Sequence, residues 1–208
     1  MVEESESAVS PAGRSTPSHK ERLLAAGIRM LYAKGYHGTT VDALLEDAGV
    51  PKGSFYHHFG SKESFALAVL QRYEDIQCEL LERWSGRHDL SVPERLAGYH
   101  RDVVEKSLSR EWQLAYLPGK LSNELAANSE PFRARLSAAF VHWGRALEEL
   151  LAEGQRSGDV RADQPAGRLA DAVIAMIEGG FVCALSLRQS EDLTAVTVGL
   201  GDLVKARL

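Results

Sequence analysis

The chain has 208 residues, 44% of them hydrophobic, which suffices for one or two small packed cores. Its net charge of −5 divides into +1 over residues 18–65, −4 over 66–208 and −2 over the first seventeen. That balance excludes a general polyanion binder working through a broad basic surface. Cys78 and Cys183 stand far apart, with no CxxC and no His at ligand spacing, so neither a disulfide framework nor a structural zinc is expected, nor any cofactor. The start, MVEESESAVSPAGRSTPSH, is acidic and has no apolar h-region, unlike a signal or transit peptide. No apolar run approaches the roughly 18–20 residues of a membrane span, and a cytoplasmic location is expected.

Residues 1–17 are rich in Ser, Glu, Pro and Gly and read as a disordered tail, in which Arg14, with Lys20 just beyond, offers a basic arm. A first helix is expected near 18–34, opened by a Ser18/Glu21 capping box and buried along Leu23, Leu24, Gly27, Ile28 and Leu31. Thr40 caps a second helix at about 40–47, where Val41, Leu44, Leu45 and Ala48 share one apolar face. Gly49 suits the left-handed position that ends it, and Pro51 suits the first turn of a third helix, 51–58. Two helices joined so tightly must cross steeply, as in a helix-turn-helix. The third helix turns Phe55 and Phe59 to the core and projects Lys52, Gly53, Ser54, Tyr56, His57 and His58, the division of labour a major-groove reader needs.

Ser61 caps a long fourth helix to about Ser85. Further helices are expected at 92–109, 112–127, 131–157, 165–188 and 191–206, with Pro118 kinking or interrupting the sixth. No period-two alternation persists, so the class is all-α.

The stretch Thr39–Glu63, TTVDALLEDAGVPKGSFYHHFGSKE, together with the helix Arg22–Lys34 before Gly35-Tyr36, closely resembles the DNA-binding signature of the TetR family of transcriptional regulators. The resemblance covers the first third of the chain. It implies an N-terminal three-helix helix-turn-helix domain at 18–64, after the tail at 1–17, and a helical effector-binding and dimerisation domain at 65–208. Motif position and chemistry assign phosphate contacts to Thr39, Thr40, Tyr56 and Lys62, and base-edge or groove-floor contacts to Lys52, Gly53, Ser54 and His57. The acids Asp42, Glu46 and Asp47 are expected to lie away from the reading helix. The function implied is a homodimeric repressor on a palindromic double-stranded operator, released by a small-molecule effector. A ligand-dependent activator, or a helical adaptor that does not bind DNA, are the alternatives.

The helices at 131–157 and 165–188 are apolar on more than one side. In the family resembled, such a pair forms a four-helix dimer interface, which places Phe140, Leu147, Leu151, Val173, Ile177 and Gly180 there. Residues 116–124 with Phe132, Arg133 and Trp143 resemble the branch that answers small electrophiles and unsaturated acids. Tyr116 stands where that branch often has a cysteine, so thiol sensing at that position is not expected. Both cysteines read as buried small hydrophobes. An effector cavity is expected beside Pro118, with Tyr73, Gln77, Tyr99, Trp112, Tyr116, Trp143, Glu178 and Phe181 as its wall. Glu178, a charge in an apolar stretch, calls for a polar partner. Neither a Gly-rich phosphate loop nor an HExxH or GxSxG motif occurs, and no enzyme is expected.

Overall fold

The computed structural model describes residues 17–108, 117–189 and 191–206. Among them the chain forms nine helices: α1 (His19–Lys34), α2 (Val41–Ala48), α3 (Lys52–Phe59), α4 (Lys62–Ser85), α5 (Val92–Leu108), α6 (Leu117–Leu125), α7 (Glu130–Ser157), α8 (Ala166–Leu187) and α9 (Glu191–Val204). No strand occurs among the described residues beyond one isolated bridge, Val160 to Lys205. The all-α expectation holds, and most helix ends fall within a residue or two of those read from capping residues.

Those ends have local causes. Ser18 accepts from the Glu21 N–H while the Glu21 carboxylate accepts from the Ser18 N–H, closing the box at α1. The Thr40 and Ser61 hydroxyls accept from Ala43 N and Ser64 N at the starts of α2 and α4. Gly49 ends α2 at φ 59°, ψ 43°, where a side chain would be strained. Arg22 of α1 then donates to the Gly49 carbonyl, 2.9 Å, pinning that turn.

The small head is built on α1. A Cβ at Gly27 would lie 2.5 Å from Val69 Cγ2 and 2.6 Å from Phe65 Cζ, so only glycine lets α1 press against α4 this closely. Phe55 and Phe59 of α3 meet Phe65 of α4, with ring centroids 5.2 and 4.9 Å apart. This aromatic cluster seats the third helix on the fourth. Over its 24 residues, about 36 Å, α4 leaves the head and enters the body, where Leu80 and Leu81 are buried. Its end is tied down by the buried Arg95 of α5, which donates to the Ser85 carbonyl and to Glu153 of α7. Helices α7, α8 and α9 pack side by side, with α5 against α9.

Two expectations change. Pro118 lies near the beginning of α6 as described; residues 109–116, on which the expected kink or interruption of a helix at 112–127 depends, lie outside the described residues, as does Arg14. Helix α8 is long and apolar enough to cross a membrane by length and composition, because the acids at 171 and 178 interrupt without breaking its apolar run. It is packed against α7 and α9, with Leu169, Ala170, Val173, Ile177 and Phe181 buried. Cys78 is half-buried and Cys183 exposed, so neither is a buried hydrophobe.

Candidate nucleic-acid interface and effector cavity

Helix α3 divides as its sequence requires. Phe55 and Phe59 are buried, while Lys52, Gly53, Tyr56, His57 and His58 are exposed along the opposite edge. No atom lies within 4 Å of where a Cβ on Gly53 would stand, so this point of the helix can approach another surface closely. Ser54 Oγ lies 3.1 Å from His19 Nδ1, a link between the start of α1 and the reading helix. The Tyr56 ring packs edge-on to Phe55, and the residue is about half exposed.

The other assignments to this face are sorted by burial. Thr40 is exposed, and its hydroxyl, already accepting from Ala43 N, keeps its proton free to donate. Thr39 is fully buried and donates to the Gly35 carbonyl, 2.7 Å. It therefore fixes the turn before α2 and cannot meet a phosphate, a correction to the expectation. Lys62 is half-buried with its ammonium 4.4 Å from the centre of the Tyr36 ring; burial lowers its pKa and the Glu124 charge partly restores it. Asp42 is not remote from the reading helix, because its carboxylate pairs with Lys52 Nζ at 3.2 Å. This exposed pair is weak enough to yield to a phosphate or a base.

In the body, Tyr73, Glu74, Gln77 and Cys78 of α4, Tyr99 and Val103 of α5, Pro118 of α6, Ala139, Phe140 and Trp143 of α7, and Ile177, Glu178 and Phe181 of α8 enclose a cavity of about 60 Å³. That exceeds several-fold the roughly 10–15 Å³ one water needs. Six of the eight residues expected in the wall are brought together here; Trp112 and Tyr116 lie outside the described residues. The Tyr99 hydroxyl, buried, donates to Gln77 at 3.4 Å. Trp143 Nε1 lies near it but makes no hydrogen bond. Burial pushes the Glu178 carboxyl up to about 8, so it is mostly protonated at pH 7. No Arg or His pairs with Glu178 among the described residues, and burial keeps it neutral, which leaves a polar group of a ligand as the partner this position calls for.

Sequence reasoning missed the link between this cavity and the head. Pro118 lines the cavity, and two and six residues further along the same short helix, Lys120 and Glu124 reach the end of α1 and the turn after it. Lys120 Nζ donates to the Tyr32 carbonyl at 2.5 Å, and the Glu124 carboxylate accepts from the Tyr36 and His37 N–H groups, both at 2.8 Å. A lysine and a glutamate at i, i+4 read as an ordinary solvated pair, so no signal marked them.

Residues 23–69 match the model of the bacterial regulatory proteins of the tetR family, and residues 94–198 match the C-terminal domain of LmrA/YxaF-like transcriptional regulators. The chain belongs to the TetR family. It is similar to the transcriptional regulator AcuR of Cereibacter sphaeroides, 34% identical over 81% of this chain and 77% of AcuR. It is equally similar, at 34%, to the HTH-type transcriptional repressor DhaR of Mycobacterium sp. strain GP1, over 84% of this chain and 86% of DhaR. The crystal structure of a regulatory protein TetR from Rhodobacter sphaeroides superposes with a TM-score of 0.82 at 32% identity, covering 88% of this chain and 97% of that one. This TetR-family chain is thus a DNA-binding regulator of transcription.

The residues expected at a dimer interface are placed elsewhere. Leu147, Leu151, Val173, Ile177 and Gly180 are buried within the single chain, and Phe140 is half-buried at the cavity. A Cβ on Gly180 would lie 2.6 Å from Val196, so this glycine admits α9, not a second subunit. The outward face of the same two helices carries Ala138, Val141 and Arg145 of α7 with Ala175, Gly179, Val182 and Leu185 of α8. Between them runs a groove lined by Val141, Gly144, Glu148, Gly167, Asp171 and Ile174.

Proposed function

We propose that this regulator is a homodimeric repressor which holds a palindromic operator through two copies of α3 and releases it when a small molecule enters the body cavity. The observation that carries the reading is the split of α3 into two buried phenylalanines and an exposed polar edge. Lys52, Gly53, Ser54 and His57 are the base-edge side of that contact, and Tyr56 with Thr40 the phosphate side. Repression is favoured over activation by the similarity to DhaR, which is named a repressor. The outward face of α7 and α8, small and apolar along Ala138, Val141, Ala175, Gly179 and Val182, supports pairing of two chains there. A two-fold operator needs two reading helices about one helical turn apart.

Release runs through two elements. Helix α4 belongs to both head and body, and α6 links the cavity wall at Pro118 to the end of α1 through Lys120 and Glu124. A ligand shifts the equilibrium only if it binds one arrangement of these helices better than the other. The cavity favours an uncharged compound carrying a hydrogen-bond acceptor, because the protonated Glu178 and Trp143 Nε1 both present donors and no cation lines it among the described residues. Such a molecule acts in the cytoplasm, beside the DNA.

Binding titrations on duplexes selected from random sequence by the protein test the DNA side. Tyr56→Phe is expected to weaken all selected sequences alike, by about 1 kcal/mol. Lys52→Ala is expected to cost about 1–3 kcal/mol and relax preference at one base pair. Two variants that behave identically, or a wild-type protein indifferent to sequence, would count against the assignment.

A further inference from the structure

We infer that Glu74, Cys78 and His142 form a binding site for a zinc-class divalent metal ion, which clamps α4 to α7 at the rim of the effector cavity. Glu74 and Cys78 are four residues apart on α4 and so share one face of that helix; His142 meets them from α7. The Sγ, Nδ1 and carboxylate oxygen atoms all lie within 4.8 Å of one another. His142 Nδ1 is 4.0 Å from Cys78 Sγ and 2.7 Å from Glu74 Oε1. A tetrahedral zinc with bonds of about 2.0–2.3 Å holds its donors about 3.3–3.7 Å apart. The two separations bracket that range, so binding an ion requires only small side-chain adjustments, chiefly at the exposed His142.

The surroundings are those of a metal site. Arg135 of α7 pairs with Glu74 Oε2. That leaves Oε1 turned to the cluster and orients the carboxylate for one-oxygen ligation, the service an outer-shell partner performs. Glu82 and Asp75 add negative charge around Cys78. The side chain of His142 is 62% exposed, and an open groove along Cys78, Glu82, Ser85 and His142 gives an ion a path in. Thiolate with imidazole selects zinc and its late first-row neighbours over magnesium or calcium. Three protein ligands leave a fourth position for water or a small molecule, and Cys78 and Glu74 also line the effector cavity. Because α4 carries the DNA-reading head, an ion that fixes α4 to α7 also fixes the lever on which the head moves. The sequence hides all this: positions 78 and 142 are joined only by the fold.

The test uses full-length, tag-free protein stripped with a chelator, then titrated with zinc against a chromophoric competitor and, separately, with cobalt(II). The expected result is one ion per chain, a rise in melting temperature and a sulfur-to-cobalt charge-transfer band. Cys78→Ser should abolish the band and weaken zinc binding at least about tenfold, and His142→Ala should weaken it as much, since even outer-shell losses cost 10–100-fold. Cys183→Ser should change neither. Circular dichroism melts of the stripped variants establish that each is folded. No tight zinc binding, a cobalt complex without the sulfur band, or binding that survives Cys78→Ser or His142→Ala would overturn the assignment. Operator binding by the stripped protein is a separate readout, so failure here leaves the repressor reading standing.

Discussion

Burial sets the charge state of Glu178, and the pH dependence of stability follows from it. The carboxyl rises from its ordinary 4.5 to about 8 in the folded chain because its ionised form is poorly solvated there. Between those values the folded state keeps a proton that the unfolded chain gives up, so this group subtracts stability as pH climbs from 4.5 to 8. His100 acts in the opposite sense: buried, with Nδ1 2.7 Å from Thr197 Oγ1, its pKa falls to about 4, and stability is lost as pH drops from 6.5 toward that value. Glu178→Gln removes only the first effect. Chemical denaturation should find the variant nearly equal to wild type near about pH 4.5, and more stable by on the order of 2–4 kcal/mol near about pH 8.5. Equal stability at both pH values would contradict the burial argument. At this scale the sequence was partly legible. A lone acid in an apolar run marked Glu178, and aromatic spacing marked the cavity wall. Thr39 misled, because a threonine before a helix looks alike whether its hydroxyl faces a phosphate or the carbonyl four residues back.

Helices were the most legible units, since caps, glycine stops and the 3.6-residue period act locally; Ser18/Glu21, Thr40, Gly49 and Ser61 each did what their chemistry dictates. Which side of a helix faces what was less legible. The apolar excess of α7 and α8 was real, but Leu147, Leu151, Val173 and Ile177 spend it inside one chain, and periodicity carries no information on which stripe is inner and which outer. The α6 latch was illegible for a related reason: Lys120 and Glu124 gain meaning only when α1 is brought beside them. Glu124→Ala leaves the Tyr36 and His37 N–H groups without their acceptor. Hydrogen exchange should then speed up across Tyr36–Thr40 and stay unchanged in α8 and α9, with a stability loss of about 2 kcal/mol. Unaltered exchange in that turn would remove α6 from the release route.

The whole molecule divides its work between a small head, whose signature is nearly complete in one stretch of sequence, and a body whose pattern encodes only packing. The head therefore identified the family, whereas the body's partner and ligand had to be sought in which residues remain exposed or unpaired after folding. Val141, 49% exposed on α7, lies on the outward face of α7 and α8. In the proposed dimer, Val141→Arg would set cations on the paired faces against each other while leaving the core in place, and it is expected to yield folded monomers by sedimentation while each head stays intact. The most direct test of the account is hydroxyl-radical footprinting on a duplex selected by the protein, run with wild type and Val141→Arg side by side. The prediction is two protected patches about 34–36 Å apart, or a multiple of that, bound by two chains, with protection lost or sharply weakened in the variant. A single patch covered by one chain, or an unchanged two-patch footprint from monomers, would contradict it.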